Sequence, residues 1–272
     1  MRQQENKQNA IALIVGFGLI ILIAIFTIFK PFSHTGNNKG QNNASQLSQD
    51  SSSAKQISSE DLLKKIQAKE PVDIIDVRSS DEFQKEHLLD SQNIPADNFI
   101  NYSGNLDKNK SYVIVDNGSG DAGLTLAENL AQKEFKNAYY LTGGFSAWKN
   151  KLNPTVSAGD PNSFVDQSKV NYLNSGQLKE MMQTESNLYI IDVRKNDAYA
   201  QGHLKGAINI FLDDLEKRRR EIPLGKKIII YDSDGLWAFQ GAVRLFDMNI
   251  LNVYALSDGY NAWTQKGFEI VK

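Results

Sequence analysis

The run Tyr112-Val113-Ile114-Val115-Asp116-Asn117-Gly118-Ser119-Gly120-Asp121 carries β-type apolar residues into a polar, glycine-bearing loop. A helical pattern follows, with Leu124, Ala127, Leu130 and Ala131 on one face. A second copy lies 116 positions on, Ile228-Ile229-Ile230-Tyr231-Asp232-Ser233-Asp234-Gly235-Leu236-Trp237, again with aspartate at the first loop position. Strand, tight loop and helix N-terminus aim backbone N–H groups at one point, where an anion or a nucleophile can sit. The residue at that point decides the chemistry, and here it is Asp116 in one copy and Asp232 in the other.

The flanking segments repeat too. Asp76-Val77-Arg78 returns as Asp192-Val193-Arg194 and His87 as His203 at an offset of 116, while Gly144 and Trp148 return as Gly259 and Trp263 at 115. Residues 72–77 and 138–141 have the length and composition of buried strands, and 81–85 and the segment from Phe145 onward those of helices. Ser58-Ser59-Glu60-Asp61 has the form of a capping box ahead of Leu62, Leu63 and Ile66, and Asn174-Ser175-Gly176-Gln177 takes its place in the second copy. Strands alternating with helices over short connections predict an α/β fold, each copy a small parallel sheet flanked by helices. The predicted domains are 56–152 and 165–272, joined by a linker over 153–164 that holds Pro154, Gly159 and Pro161.

A chain of 272 residues suffices for two domains of about 100 each. Its net charge of −2 implies no broad basic surface and argues against nucleic acid as a partner. Cysteine is absent, which excludes disulfides, thiolate nucleophiles, persulfide carriers and cysteine metal sites. His34, His87 and His203 are scattered, so no metal or other cofactor is expected.

Residues 10–29 are uncharged and mostly apolar. At about 1.5 Å per residue they reach about 30 Å, the thickness of a bilayer core, so a transmembrane anchor is predicted behind a short tail, 1–9. The run is longer than the apolar region of a cleavable leader and leads into Phe29-Lys30-Pro31-Phe32. Arg2 and Lys7 before it balance Lys30 and Lys39 after it, so the orientation rests on the short leader: N-terminus inside, domains extracytoplasmic at the cell membrane. Residues 30–55, rich in Ser, Asn and Gln, are expected to be a disordered linker that holds the domains about 25–30 Å from the membrane.

Asp76-Val77-Arg78 with His87-Leu88, and Asp192-Val193-Arg194 with Gly202-His203-Leu204-Lys205-Gly206-Ala207-Ile208-Asn209, form an ordered set. The endings Gly143-Gly144-Phe145-Ser146-Ala147-Trp148 and Asp258-Gly259-Tyr260-Asn261-Ala262-Trp263 complete it. The set resembles the rhodanese (sulfurtransferase) family in tandem. The resemblance implies a parallel sheet wrapped by helices, a first loop residue that is a sulfur-accepting cysteine, and loop arginines that hold an anionic donor. In this chain the cysteine positions are Asp116 and Asp232, and Asn117 and Asp121, Ser233 and Trp237 stand in place of cations. A carboxylate cannot become a persulfide, and two acidic loops repel thiosulfate or phosphate. The cysteine-dependent phosphatases that share the fold are excluded on the same ground. Asp232-Ser233-Asp234 also resembles the Asp-x-Asp motif of haloacid-dehalogenase-like phosphatases, but only 40 residues remain to supply that family's lysine and metal-binding carboxylates.

A structural role is therefore predicted for Asp116 and Asp232: each carboxylate stands in for the thiolate charge and accepts loop N–H bonds at a helix N-terminus, an effect of about 0.3–1 kcal/mol. Arg78 is expected to pair with Glu82 and Arg194 with Asp197, His87 and His203 to pin loops, and Trp148 and Trp263 to lie in the core. Trp237, beside Leu236 and Phe239, either makes an apolar mouth for a partner segment or packs against the other domain. Lys217-Arg218-Arg219-Arg220 is either a solvated helix face or a contact for an anionic polymer or lipid. Together these features describe a membrane-anchored, noncatalytic pair of rhodanese-like domains that binds or scaffolds a protein through two loops. The loops are Asp116, Asn117, Gly118, Ser119, Gly120 and Asp121, and Asp232, Ser233, Asp234, Gly235, Leu236 and Trp237. The alternative is a sulfurtransferase that acts only with an external cysteine-bearing partner.

Overall fold

Two five-stranded parallel sheets carry the repeat in the structure, a computed structural model that describes residues 54–272. In the first, the strand order is β1 (Lys55–Ile57), β6 (Asn137–Leu141), β5 (Ser111–Val115), β2 (Asp73–Asp76) and β4 (Ser91–Asn93). The second has β8 (Asn171–Leu173), β13 (Val253–Leu256), β12 (Lys227–Tyr231), β9 (Leu188–Asp192) and β11 (Ala207–Asn209), the same order strand for strand. The duplicated apolar runs are thus β5 and β12, the central strand of each sheet.

Central position explains their composition. Successive side chains point to opposite faces, and helices cover both. Tyr112 and Ile114 of β5 enter a cluster with Ala127 and Leu130, while Val113 and Val115 meet Leu62 and Trp148 on the other face. In β12, Ile228 and Ile230 meet Ala238 and Ala242, while Ile229 and Tyr231 meet Leu178 and Trp263. The caps form as well: Ser58 Oγ accepts the Asp61 N–H at 3.1 Å, and Asn174 and Gln177 cap each other reciprocally.

The domain edges differ from expectation. Lys55, placed in the linker, begins β1, because its backbone pairs with β6 while its Nζ reaches the Lys136 carbonyl at 2.8 Å. The stretch 153–164 is not slack. It contains β7 (Thr155–Ser157), which runs antiparallel to β3 (Glu86–Leu88), as β14 (Ile270–Val271) does to β10 (His203–Leu204). Trp148 Nε1 fastens the approach to β7 through the Pro154 carbonyl, and Trp263 Nε1 that to β14 through the Glu269 carbonyl, each at 2.9 Å. The first domain therefore extends to Ser157. The anchor predicted over 10–29 lies outside the described residues, among which no helix is long and apolar enough to cross a membrane.

Candidate functional site

Asp116 leaves the end of β5 and turns its side chain under the loop. Oδ1 accepts the Gly118 N–H at 2.8 Å and the Tyr140 hydroxyl at 3.2 Å, and Oδ2 accepts the Gly123 N–H at 2.9 Å. Asp232 does the same after β12, with Gly235 N–H on Oδ1 at 2.7 Å and Trp237 N–H on Oδ2 at 3.0 Å. Both residues are buried, at 7% and 3% exposure, so each carboxylate fills the space on which the loop amides converge. The loops hold no lysine or arginine. Burial raises the Asp232 pKa; the Trp237 and Gly235 amides oppose that rise, and the neighbouring Asp234 charge adds to it. Burial, then the Asp116 charge, pushes the Tyr140 phenol up to about 12, so it stays a donor.

The turn that closes each site comes from the next strand. Gly144 has φ +54, and a Cβ there would lie 2.5 Å from the Asp116 carbonyl oxygen, its Oδ1 and the Gly118 nitrogen. Gly259, at φ +62, meets Ser233 and Asp234 in the same way. Only glycine allows this approach. The following residue then ties the loop down, Phe145 N–H to the Asp116 carbonyl and Tyr260 N–H to the Asp232 carbonyl, both at 2.7 Å.

The expected Arg78–Glu82 and Arg194–Asp197 pairs do not form. Arg78 instead binds Asp76 through Nε at 3.0 Å and through its terminal nitrogen at 2.6 Å, and Arg194 binds Asp192 at the same two distances. Residues two apart at a strand end share a side, and both partners are buried. The guanidinium groups also lie over the Phe145 and Tyr260 rings, at 3.8 and 4.0 Å. Glu82 is occupied elsewhere: it closes a capping box with Ser79 and accepts from Asn117 Nδ2 at 2.8 Å, tying the first loop to the helix Ser80–Lys85.

Each loop gathers round its own aspartate, and no hydrogen bond among the described residues joins the two loops. Asn117, Ser119, Gly120, Asp121, Ser233, Asp234 and Leu236 face solvent. Trp237 is half-buried, edge-on to Phe211 at 5.8 Å, and lines a cleft of about 400 Å³ with Asp81, Gln84 and Lys85 of the first domain. The basic run is not an α-helix face. Arg218 forks onto Glu221, and Arg219 forks onto Asp90 of the first domain at 2.7 Å, leaving Lys217 and Arg220 exposed.

Sequence reasoning missed Gly123 and Tyr140, which complete the first cradle, and Asn93 and Asn209, which bridge the backbone carbonyls on either side of Val77 and Val193. The offset of 116 between the two asparagines was the available signal. The partners Asp90, Glu216 and Asp247 carried none, since they join the halves rather than repeat between them.

Fold and site define a class: a tandem α/β repeat whose two loop pockets, at the ends of the central strands, are filled by the chain's own carboxylates. A sequence model described as Rhodanese-like domain matches residues 58–151 and 174–266, and the chain belongs to that family. Thiosulfate sulfurtransferase GlpE of Coxiella burnetii is 33% identical over 90 residues, 33% of this chain and 82% of the relative. A sulfurtransferase of Allochromatium vinosum is 26% identical over 102 residues, 38% of this chain and 95% of the relative. The crystal structure of a thiosulfate sulfurtransferase from Pseudomonas aeruginosa aligns over 80% of this chain at 21% identity and a TM-score of 0.43, and this chain spans 43% of that one.

Proposed function

We propose that this chain is a noncatalytic rhodanese-like binding module that presents two loops, 116–121 and 232–237, to a protein partner. Residues 10–29 would anchor it in the cell membrane with the domains outside. The observation that carries this reading is the pair of buried carboxylates. Asp116 and Asp232 occupy the position of a sulfur-accepting nucleophile, their oxygens are committed to backbone amides, and the chain has no cysteine to take their place. What the loops offer outward is polar in the first domain, and in the second includes Leu236, 46% exposed, beside Trp237.

Two measurements on the full-length chain test this. With thiosulfate and cyanide, thiocyanate should form no faster than in a protein-free blank, and turnover above the blank overturns the noncatalytic reading. In-cell crosslinking should capture a partner that is lost when Asn117, Asp121, Ser233, Asp234 and Leu236 are replaced by glycine or serine with both cradle aspartates kept. Unchanged capture removes the loops as the recognition surface.

A further inference from the structure

His87 and His203 are repeat equivalents whose surroundings differ on one side of the ring. In both, Nδ1 lies on a carbonyl oxygen four residues back, Phe83 at 2.8 Å and Tyr199 at 3.1 Å, and the ring stacks on that residue's own ring. A carbonyl oxygen only accepts, so Nδ1 carries a proton in each. His203 Nε2 has no hydrogen-bond partner among the described residues. His87 Nε2 lies 2.8 Å from Glu216 Oε2, across the domain boundary.

The other Glu216 oxygen accepts the Asp90 N–H at 2.6 Å, and Arg219 forks onto the Asp90 carboxylate. Burial alone would raise the Glu216 pKa, but the bonds from His87 and Asp90 and the Arg219 charge outweigh it and hold the group below the ordinary carboxylate range. Apart from His87, Glu216 is fixed as an acceptor by the Asp90 amide on Oε1, with the Arg219 charge beside it. A neutral imidazole has a single donor, and with that donor spent on Phe83 it would set a bare lone pair against a carboxylate. The charged groups at this contact are Glu216, Asp90 and Arg219. Glu86, one residue back, is committed to Lys149 and Thr155.

We propose that His87 donates from both ring nitrogens as an imidazolium, and that with Arg219 it makes residues 216–219 a charge-paired fastener between the two domains rather than a surface for an anionic polymer. Two cations and two carboxylates alternate there, His87 buried, Glu216 and Arg219 partly buried and Asp90 exposed. A second contact lies at Asp247, which accepts from the Ser157 amide and hydroxyl and pairs with Lys169.

The test is NMR of the full-length chain labelled uniformly with nitrogen-15, at neutral pH, with His34→Gln and His203→Gln to assign the His87 signals. His87 should show two protonated ring nitrogens. In Glu216→Gln, the His87 Nε2 proton should be lost and the Asp90 amide should exchange about tenfold faster, the equivalent of one charge-assisted hydrogen bond. A bare Nε2 on His87 in the native chain overturns the proposal, whatever the variant does.

Discussion

A buried carboxylate is costly unless its lone pairs are used, and Asp116 uses them on Gly118, Gly123 and Tyr140. Asp116→Ala should leave two amides and a phenol without an acceptor and lower stability by about 1–3 kcal/mol. Denaturant unfolding checks this: the midpoint should fall with the slope unchanged. An unmoved midpoint would mean that the loop holds itself without the carboxylate. The aspartate's place at the loop start was legible from the duplicated run alone. Tyr140 and Gly123 were not, because one comes from the neighbouring strand and the other from the far side of the loop, and only the folded sheet brings them together.

Among elements, Asp-Val-Arg shows where sequence reasoning chose the wrong neighbour. An arginine just past a strand end was expected to pair with Glu82, four residues on, yet it turns to Asp76, two residues back. The strand wins because Asp76 is wholly buried and needs a cation, while Glu82 is half-exposed and already caps its own helix. Its pKa is held low by the Ser79 hydroxyl and then by Asn117, not chiefly by an arginine. Arg78→Ala strands a buried carboxylate and should cost about 3–5 kcal/mol. Glu82→Ala loses a cap and should cost about 0.5–2 kcal/mol. Equal losses in thermal or chemical unfolding would mean that Arg78 serves Glu82 after all. The strands themselves were legible because apolar runs bounded by loops are what a doubly covered parallel sheet requires. The three-residue strand β7 was not, since Thr-Val-Ser between Pro154 and Gly159 has the composition of a connection and becomes a strand only against β3.

For the whole molecule, the link between the halves contributes to the response to acid. Glu216 has its folded-state pKa lowered, so the unfolded chain binds its proton more readily than the native one does. Its contribution is therefore fully present above the ordinary carboxylate value and is lost as pH falls through the lower folded-state value. Asp232, raised by burial, has the opposite sign: it favours the native state at low pH, and that contribution is lost as pH rises through its folded-state value. The two act on one melting curve, so the native protein's pH profile mixes them. Comparison with Glu216→Gln separates them, because Asp232 is common to both proteins and cancels in the difference. At neutral pH the variant should melt earlier by about 1–3 kcal/mol of lost charge-assisted bonding, roughly 2–4 °C per kcal/mol for a chain of this size. The gap should close as acid protonates Glu216 in the native protein, since both side chains then carry no charge. A gap that stays constant into acid would show that shape rather than charge joins Glu216 to His87 and Asp90.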